Sequence, residues 1–465
     1  ASLARAGLLM GTGPLPQSTV VSGDVLHVGG AAGFSGDRTD ATGPVVDALI
    51  NSPGPSVLIF ETLAERTLAL AQLARRQDPS AGYEPLLDDL VGPGLPRCLA
   101  HGVRIVSNFG AANPVGAARR ILAMAAEQGL RQPKVAVVLG DDLLADHGPQ
   151  WRALLPDRHV VSANAYLGAE SIADALREGA DIVVCGRVAD PSLVLGPALA
   201  HFGWSMSDWD RLAGATMAGH LLECGAQVCG GYYADPGFKD VPNLANIGFP
   251  IAEIHADGSC IVGKPLGTGG IINAHCVKEQ LLYEIHDPQA YLTPDVVADI
   301  GAATVTELGP DRVRLAGVRG HARPDELKVN ICYENGWLAE GEISYAGARA
   351  EARARLAADI LRERLAGLGT LRVDLIGVIS VFADDGGSAF GQMASGHARD
   401  VRLRVAISHQ DRASAERLTR EVTALYTCGP AGGGGVRVSL RPRLGLDSST
   451  VSRDRVSMRH VFIEK

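Results

Sequence analysis

Several things are scarce in this 465-residue chain, and each scarcity removes a class of function. Aromatic residues make up 5%. No apolar run approaches the roughly 18 to 20 residues of a membrane span. No basic block occurs, and the net charge is −9 with a pI near 5.8, so neither nucleic acid nor a membrane surface is an expected partner. The opening ASLARAGLLMGTGPLPQ has no apolar core ahead of its Gly and Pro, and no secretory leader is expected. The eight cysteines are scattered. Cys98, Cys185, Cys260, Cys276 and Cys332 stand in apolar or turn contexts, which reads as free buried thiols in a reducing cytoplasm. No GxGxxG follows a strand, and GxxxxGK[ST] and GxSxG are missing, which disfavours a standard dehydrogenase, kinase or serine hydrolase. No cofactor is expected.

What is present is alternation. SVLIFETLAERTLALAQLARR reads as a strand running into a helix. VRIVSNFGAANPVGAARRILAMAAEQGL repeats the plan, with Pro114 at the helix start and Gly129 at its stop. KVAVVLGDDLL and DIVVCGRVADPSLVLGP continue it. Apolar strands separated by helices mean parallel β buried on both faces. The expectation is an α/β fold, Rossmann-like or barrel-like, over residues 1–320. From LKVNICYE onward the order strand–strand–helix–strand, then strand–helix–strand–strand, suggests an α+β sandwich domain over 321–465.

Open α/β sheets and barrels place ligands beyond the carboxyl ends of their strands. The residues there are Asp37 and Arg38, then Glu61, Thr62 and Glu65, then Asn108 and Asn113, then Asp141 and Asp142, then Asn164 and Tyr166, then Arg187 and Asp190. Asp37, Arg38, Asn108, Asn113, Asp141, Asp142 and Asn164 are the candidate substrate-binding residues. Each has a plainer reading: a surface ion pair for Asp37–Arg38, a helix cap for Glu61 and Asn113, and a turn or cap for Asp141–Asp142. Arg187, just past a buried strand, needs a counter-charge, either Asp190 or an anionic substrate. One shared cleft is expected to collect this rim.

GHLLECGAQVCGG, residues 219–231, adds a second candidate centre. His220 and Glu223 share a helical face. Four readings are open: a metal site with Cys224, a cysteine nucleophile with His220 as base, an acid/base pair, or a structural knot before Gly225. No CxxC, HExxH or HxH spacing is present, and no metal is expected. The preferred reading makes His220, Glu223, Arg187 and Asp190 the catalytic residues, with Cys224 packing behind. GPAGGGG (429–435) could cradle an anion, or be a surface loop.

In order along the chain, GFSGDR, FETLAERTLAL, NFGAANP, LGDDL, SANAYLGA, GADIVVCGRVADPSLVLGP, GHLLECGAQVCGG, GFPIAEI, KPLGTGG and QLLYEIHDPQAYLTPDV resemble the acyclic terpene utilisation protein A (AtuA) family. The resemblance covers nearly the whole chain. It implies a branched acyl substrate carried as a thioester, as in the catabolism of citronellol and geraniol, and a lyase or hydratase using acid/base chemistry beside a carbonyl. Members also occur in natural-product clusters. The alternative it leaves open is a non-catalytic subunit that partners an acyl-CoA carboxylase. A cytoplasmic homo-oligomer is the expectation.

Overall fold

A computed structural model describes residues 25–144, 149 and 157–464; the opening segment quoted above lies outside them. Five apolar strands form the centre of the first sheet: β1 (Val25–Gly30), β2 (Ser56–Phe60), β3 (Arg104–Ser107), β4 (Val135–Leu139) and β6 (Ile182–Cys185). They run parallel in the order β1-β2-β3-β6-β4. Alternate side chains feed two cores. Leu58, Phe60, Val135 and Val137 meet the helices Thr42–Ile50, Leu95–His101 and Pro114–Glu127. Val57, Ile59, Ala136 and Val138 meet Glu170–Arg177, Ser192–Phe202 and Trp209–Glu223. Burial on both faces explains why these strands are apolar throughout.

The sheet is mixed, and it does not close. β7 (Ile251–His255), β8 (Cys260–Gly263), β12 (Arg312–Ala316) and β11 (Thr304–Gly309) extend it antiparallel beyond β1, and β18 (Arg459–Ile463) closes the other flank against β4. Ten strands in an open row exclude the barrel variant for the described residues. Three short strands, β9 (Tyr291–Leu292), β10 (Val297–Asp299) and β13 (Arg319–His321), form a small antiparallel sheet.

The last third builds a sheet in the order β15-β16-β14-β17, from β14 (Glu326–Ala346), β15 (Leu371–Ile376), β16 (Asp400–His409) and β17 (Gly434–Ser452). The helices Ala350–Arg364 and Arg412–Cys428 cover one face, over Ile343, Tyr345, Val373 and Leu403. The two strands expected from LKVNICYE and EGEISYAG are one. The intervening Asn335-Gly336 is an irregularity in the pairing with β17, with Gly336 at φ +75°. The boundary at 320/321 also fails to separate the sheets. β5 (Val160–Ala165) leaves the first half to pair with β14, and β18 returns from the end of the chain to β4. Hydrophobic pattern reports that a strand is buried, not which strand it will lie beside.

Candidate active site

The carboxyl ends of β1, β2 and β6 open on a cavity of about 910 Å³. Its floor is the end of the helix Trp209–Glu223, buried on every side from Leu212 to Glu223. Small residues permit that position: a Cβ on Gly214 would lie 2.1 Å from the Gly258 carbonyl oxygen, and one on Gly219 2.7 Å from Pro191. The helix stops at Gly225, φ +55°, where the loop after β1 presses in. A Cβ on Gly33 would stand 2.4 Å from the Cys224 carbonyl carbon. The glycines of GFSGDR therefore serve close approach of this loop to the helix end. Asp37 fixes the loop, its Oδ2 accepting from Gly33 N at 2.8 Å and its Oδ1 from Arg38 N at 2.7 Å.

His220 and Glu223 border the cavity. Nδ1 of the imidazole lies 2.7 Å from Glu223 Oε1, and Gln280 Nε2 donates to the His220 carbonyl at 3.3 Å. The remaining atoms of the pair, His220 Nε2 and Glu223 Oε2, are buried without a hydrogen-bond partner among the described residues. An unmet buried polar atom costs about 1–3 kcal/mol, so such atoms concentrate where a ligand or a reaction uses them. Burial by itself pulls the imidazole down, but the Glu223 carboxylate more than reverses it, and His220 sits above its ordinary value. The ring packs 5.3 Å from Tyr291.

Arg187, 1% exposed, organises the adjoining wall. Its guanidinium donates to the carbonyls of Leu63 and Val188 (to the latter from Nε and Nη2) and to Asp190. Four of its five N–H groups are thus engaged by the protein. The guanidinium also lies over the Tyr166 ring, 4.6 Å from its centroid. Glu61 stands beside this pair. Its Oε1 accepts from Leu63 N and Asn108 Nδ2, both at 2.8 Å. Burial, then the neighbouring Asp190, push Glu61 up to about 8. Burial likewise lifts Asp190 to about 6, although Arg187 opposes it. Glu65 goes the other way: burial would raise it, but the Tyr166 hydroxyl and Lys328 hold it down to about 2.

The expected rim divides into layers. Asp37, Arg187 and Asp190 border the cavity together with His220 and Glu223. Asn108 sits behind Glu61, and its Oδ1 accepts from Thr62 N at 2.8 Å. Asp141 and Asn164 sit behind Arg187: Asp141 Oδ2 accepts from Arg187 N and Asn164 Nδ2, each at 2.9 Å. Asp142 accepts from Leu144 N at 3.1 Å in the next turn. Two residues are elsewhere. Arg38 is half-exposed and pairs with Asp40 at 2.7 Å, and Asn113 caps its helix through Gly116 N at 3.0 Å. Arg38 makes an ion pair, though with Asp40 and not with Asp37, and Asn113 keeps the helix-cap role.

Sequence reasoning passed over other cavity residues. Glu61, Glu65 and Tyr166 were at strand ends but shared that trait with Asn113. Tyr283, Glu284 and Tyr291 lie within QLLYEIHDPQAYLTPDV and Lys328 within LKVNICYE, stretches not read as part of the site. Cys224 borders the cavity with its thiol pushed up to about 12 by burial, which holds it protonated and disfavours the nucleophile reading. Cys229 is fully buried. All eight cysteines are free. Among the described residues no group of three or more His, Cys, Asp or Glu is placed to hold a metal, and no helix is long and apolar enough to cross a membrane. The GPAGGGG loop joins the helix Arg412–Cys428 to β17, its Ala431 carbonyl accepting from Arg353.

These features define a class: a mixed α/β protein with a buried histidine–glutamate pair and a carboxylate cluster facing one cavity at the parallel strand ends. The chain belongs to the acyclic terpene utilisation (AtuA) family, whose model matches residues 26–462. No curated protein and no solved structure gives a match.

Proposed function

We propose that the protein is a cofactor-independent lyase or hydratase that moves a proton next to the carbonyl of a branched acyl group carried as a thioester. The observation that carries this reading is the buried His220–Glu223 pair, whose Nε2 and Oε2 lack partners among the described residues in the wall of the cavity. Glu223 orients the imidazole and increases its basicity, leaving Nε2 to take the proton. Arg187 retains one N–H, and Tyr291 carries a hydroxyl, for an oxygen that gains charge. Phe34, Leu63, Tyr283, Leu292 and Leu327 suit an apolar chain.

Charge supports an ester over a free acid. Seven carboxylates border the cavity (Asp37, Glu61, Glu65, Asp190, Glu223, Glu284 and Glu326), against Arg187 and Lys328. Both cations already have carboxylate partners. A ligand carboxylate would enter against this excess, whereas a thioester carries no charge at its carbonyl. The second reading, a subunit that only binds a carboxylase-type partner, calls for rim residues paired among themselves and no cavity; the cavity weighs against it.

The test is a mass-spectrometric screen of branched acyl thioesters and the matching acids for loss or gain of water and for carbon–carbon cleavage. On the substrate found, His220→Ala and Glu223→Gln should each lower turnover by about 10²- to 10⁴-fold with circular dichroism unchanged. Near-normal turnover in both variants reduces the pair to a structural knot.

A further inference from the structure

Glu61 is a cavity carboxyl fixed by two neutral donors. It follows β2 directly, its backbone N–H bonded to the Ala32 carbonyl at 3.2 Å, and it is buried. Leu63 N and Asn108 Nδ2 both meet the same oxygen, Oε1, and the residue borders the cavity. The ionisable groups that face it are Asp190 and Arg187 from the loop after β6, Cys224 from the helix end, and Glu65 and Glu223 around the same cluster. Arg187 is the only cation among them, and its guanidinium is in direct contact with Asp190. A buried carboxyl and a partly buried one sharing one guanidinium cannot both ionise without large cost. The carboxyl touching the guanidinium keeps the charge, and the one held by two amides keeps the proton.

We infer that Glu61 is a second proton-exchanging residue of this site, holding its proton on Oε2 and giving it to an oxygen of the ligand. The transfer rests on the acid/base reading above; the protonation does not. In loss of water, His220 Nε2 takes the proton from the carbon beside the carbonyl. The C–H electrons form the double bond, and the C–O bond breaks with its electrons on the departing hydroxyl. The Glu61 O–H bond breaks as a new O–H bond completes the water molecule. Glu61 is left as a carboxylate held by Leu63 N and Asn108, and it regains a proton from His220 or solvent. Addition of water runs the same steps in reverse.

The protonation is measured without any ligand. The full chain, labelled with carbon-13 at glutamate side-chain carboxyls only, is titrated by NMR from about pH 5 to 9. One resonance should remain in the protonated position at pH 7, titrate above it, and be absent from Glu61→Gln. Asn108→Ala removes a donor that favours the ionised form, so it should move that resonance to still higher pH, which provides the test if Glu61→Gln fails to fold. Titration of every glutamate below about pH 6, or a late resonance that survives Glu61→Gln and ignores Asn108→Ala, overturns the inference. The transfer is read separately: Glu61→Gln should cut turnover about 10²- to 10⁴-fold with KM little changed. Normal turnover in Glu61→Gln beside a loss in His220→Ala overturns the transfer and leaves the reading of the site standing. Normal turnover in both removes the site reading, and the titration alone then decides the state of Glu61.

Discussion

Arginines meet carboxylates in two regions of this molecule, with opposite results. On the outer face of the C-terminal sheet Arg404 bonds Asp374 at 2.7 Å and also Glu340, Arg441 bonds Glu340 at 2.9 Å, Arg372 bonds Asp374 at 3.0 Å and Asp385 at 2.9 Å, and Arg402 bonds Glu342 at 3.2 Å. Four cations there answer four anions. All four arginines are partly exposed. Around Arg187 one guanidinium answers Asp190 and Glu61; Arg187 and Glu61 are buried, and Asp190 is partly exposed where it borders the cavity. A balanced network whose arginines are partly exposed contributes little beyond holding strands in register. An unbalanced, dry one stores a proton. Excess acid in a dry place, rather than ion pairing as such, is what points to chemistry here.

Removing the cation from each region sharpens the contrast most. Arg187→Met leaves the Leu63 and Val188 carbonyls and Asp190 without their donor, and should cost about 3–5 kcal/mol. Arg404→Met leaves Asp374 with Arg372 and Glu340 with Arg441, and should cost about 0.2–1 kcal/mol. Urea denaturation of both variants measures the difference; equal losses would erase the distinction between the regions.

The proton store should also appear in stability against pH. Glu61 and Asp190 have folded values raised above their ordinary ones, so the folded chain holds their protons more tightly than the unfolded chain. That contribution is complete below the ordinary carboxylate range and is lost as pH rises through about 6 and about 8. Tm from scanning calorimetry should therefore fall between about pH 5 and 9, and less steeply in Glu61→Gln. Glu65, held down to about 2, adds the opposite slope, losing its contribution as pH falls below its ordinary value.

A backbone change gives a smaller effect. Gly33→Ala drives a methyl group into the Cys224–Gly225 peptide and should cost about 1–3 kcal/mol, with His220 and Glu223 displaced and turnover reduced. Retention of both Tm and turnover would show that the loop after β1 yields without moving the helix end. Cys224→Ala is the smallest. The thiol is protonated and packs beside Gln280, so turnover should stay within about twofold, and a large loss would return the sulfur to the chemistry.

Some of this was legible from residues alone. β-branched runs between helical patterns specify a parallel sheet covered on both faces, because only strands buried twice are apolar throughout. The i, i+3 spacing of His220 and Glu223 was enough to pair them, because helix geometry is local. The same locality hides the rest. Nothing near Glu61 in the chain says that Asn108 and Arg187 will close around it, whereas the helix cap of Asn113 was legible from Pro114 beside it.

What the sequence determined by itself was the set of buried strands, the helix that carries the pair, and the side of the sheet on which polar residues gather. Periodicity and propensity act over a few residues and need no partner. Tertiary structure alone decided that β5 and β18 cross between sheets, that the glycines of GFSGDR admit a helix end rather than a nucleotide, and that seven carboxylates share a cavity with two cations. Strand pairing and burial of charge depend on residues far apart in the chain. Their energies are set by which groups lose water together, and that is fixed only when the chain has folded.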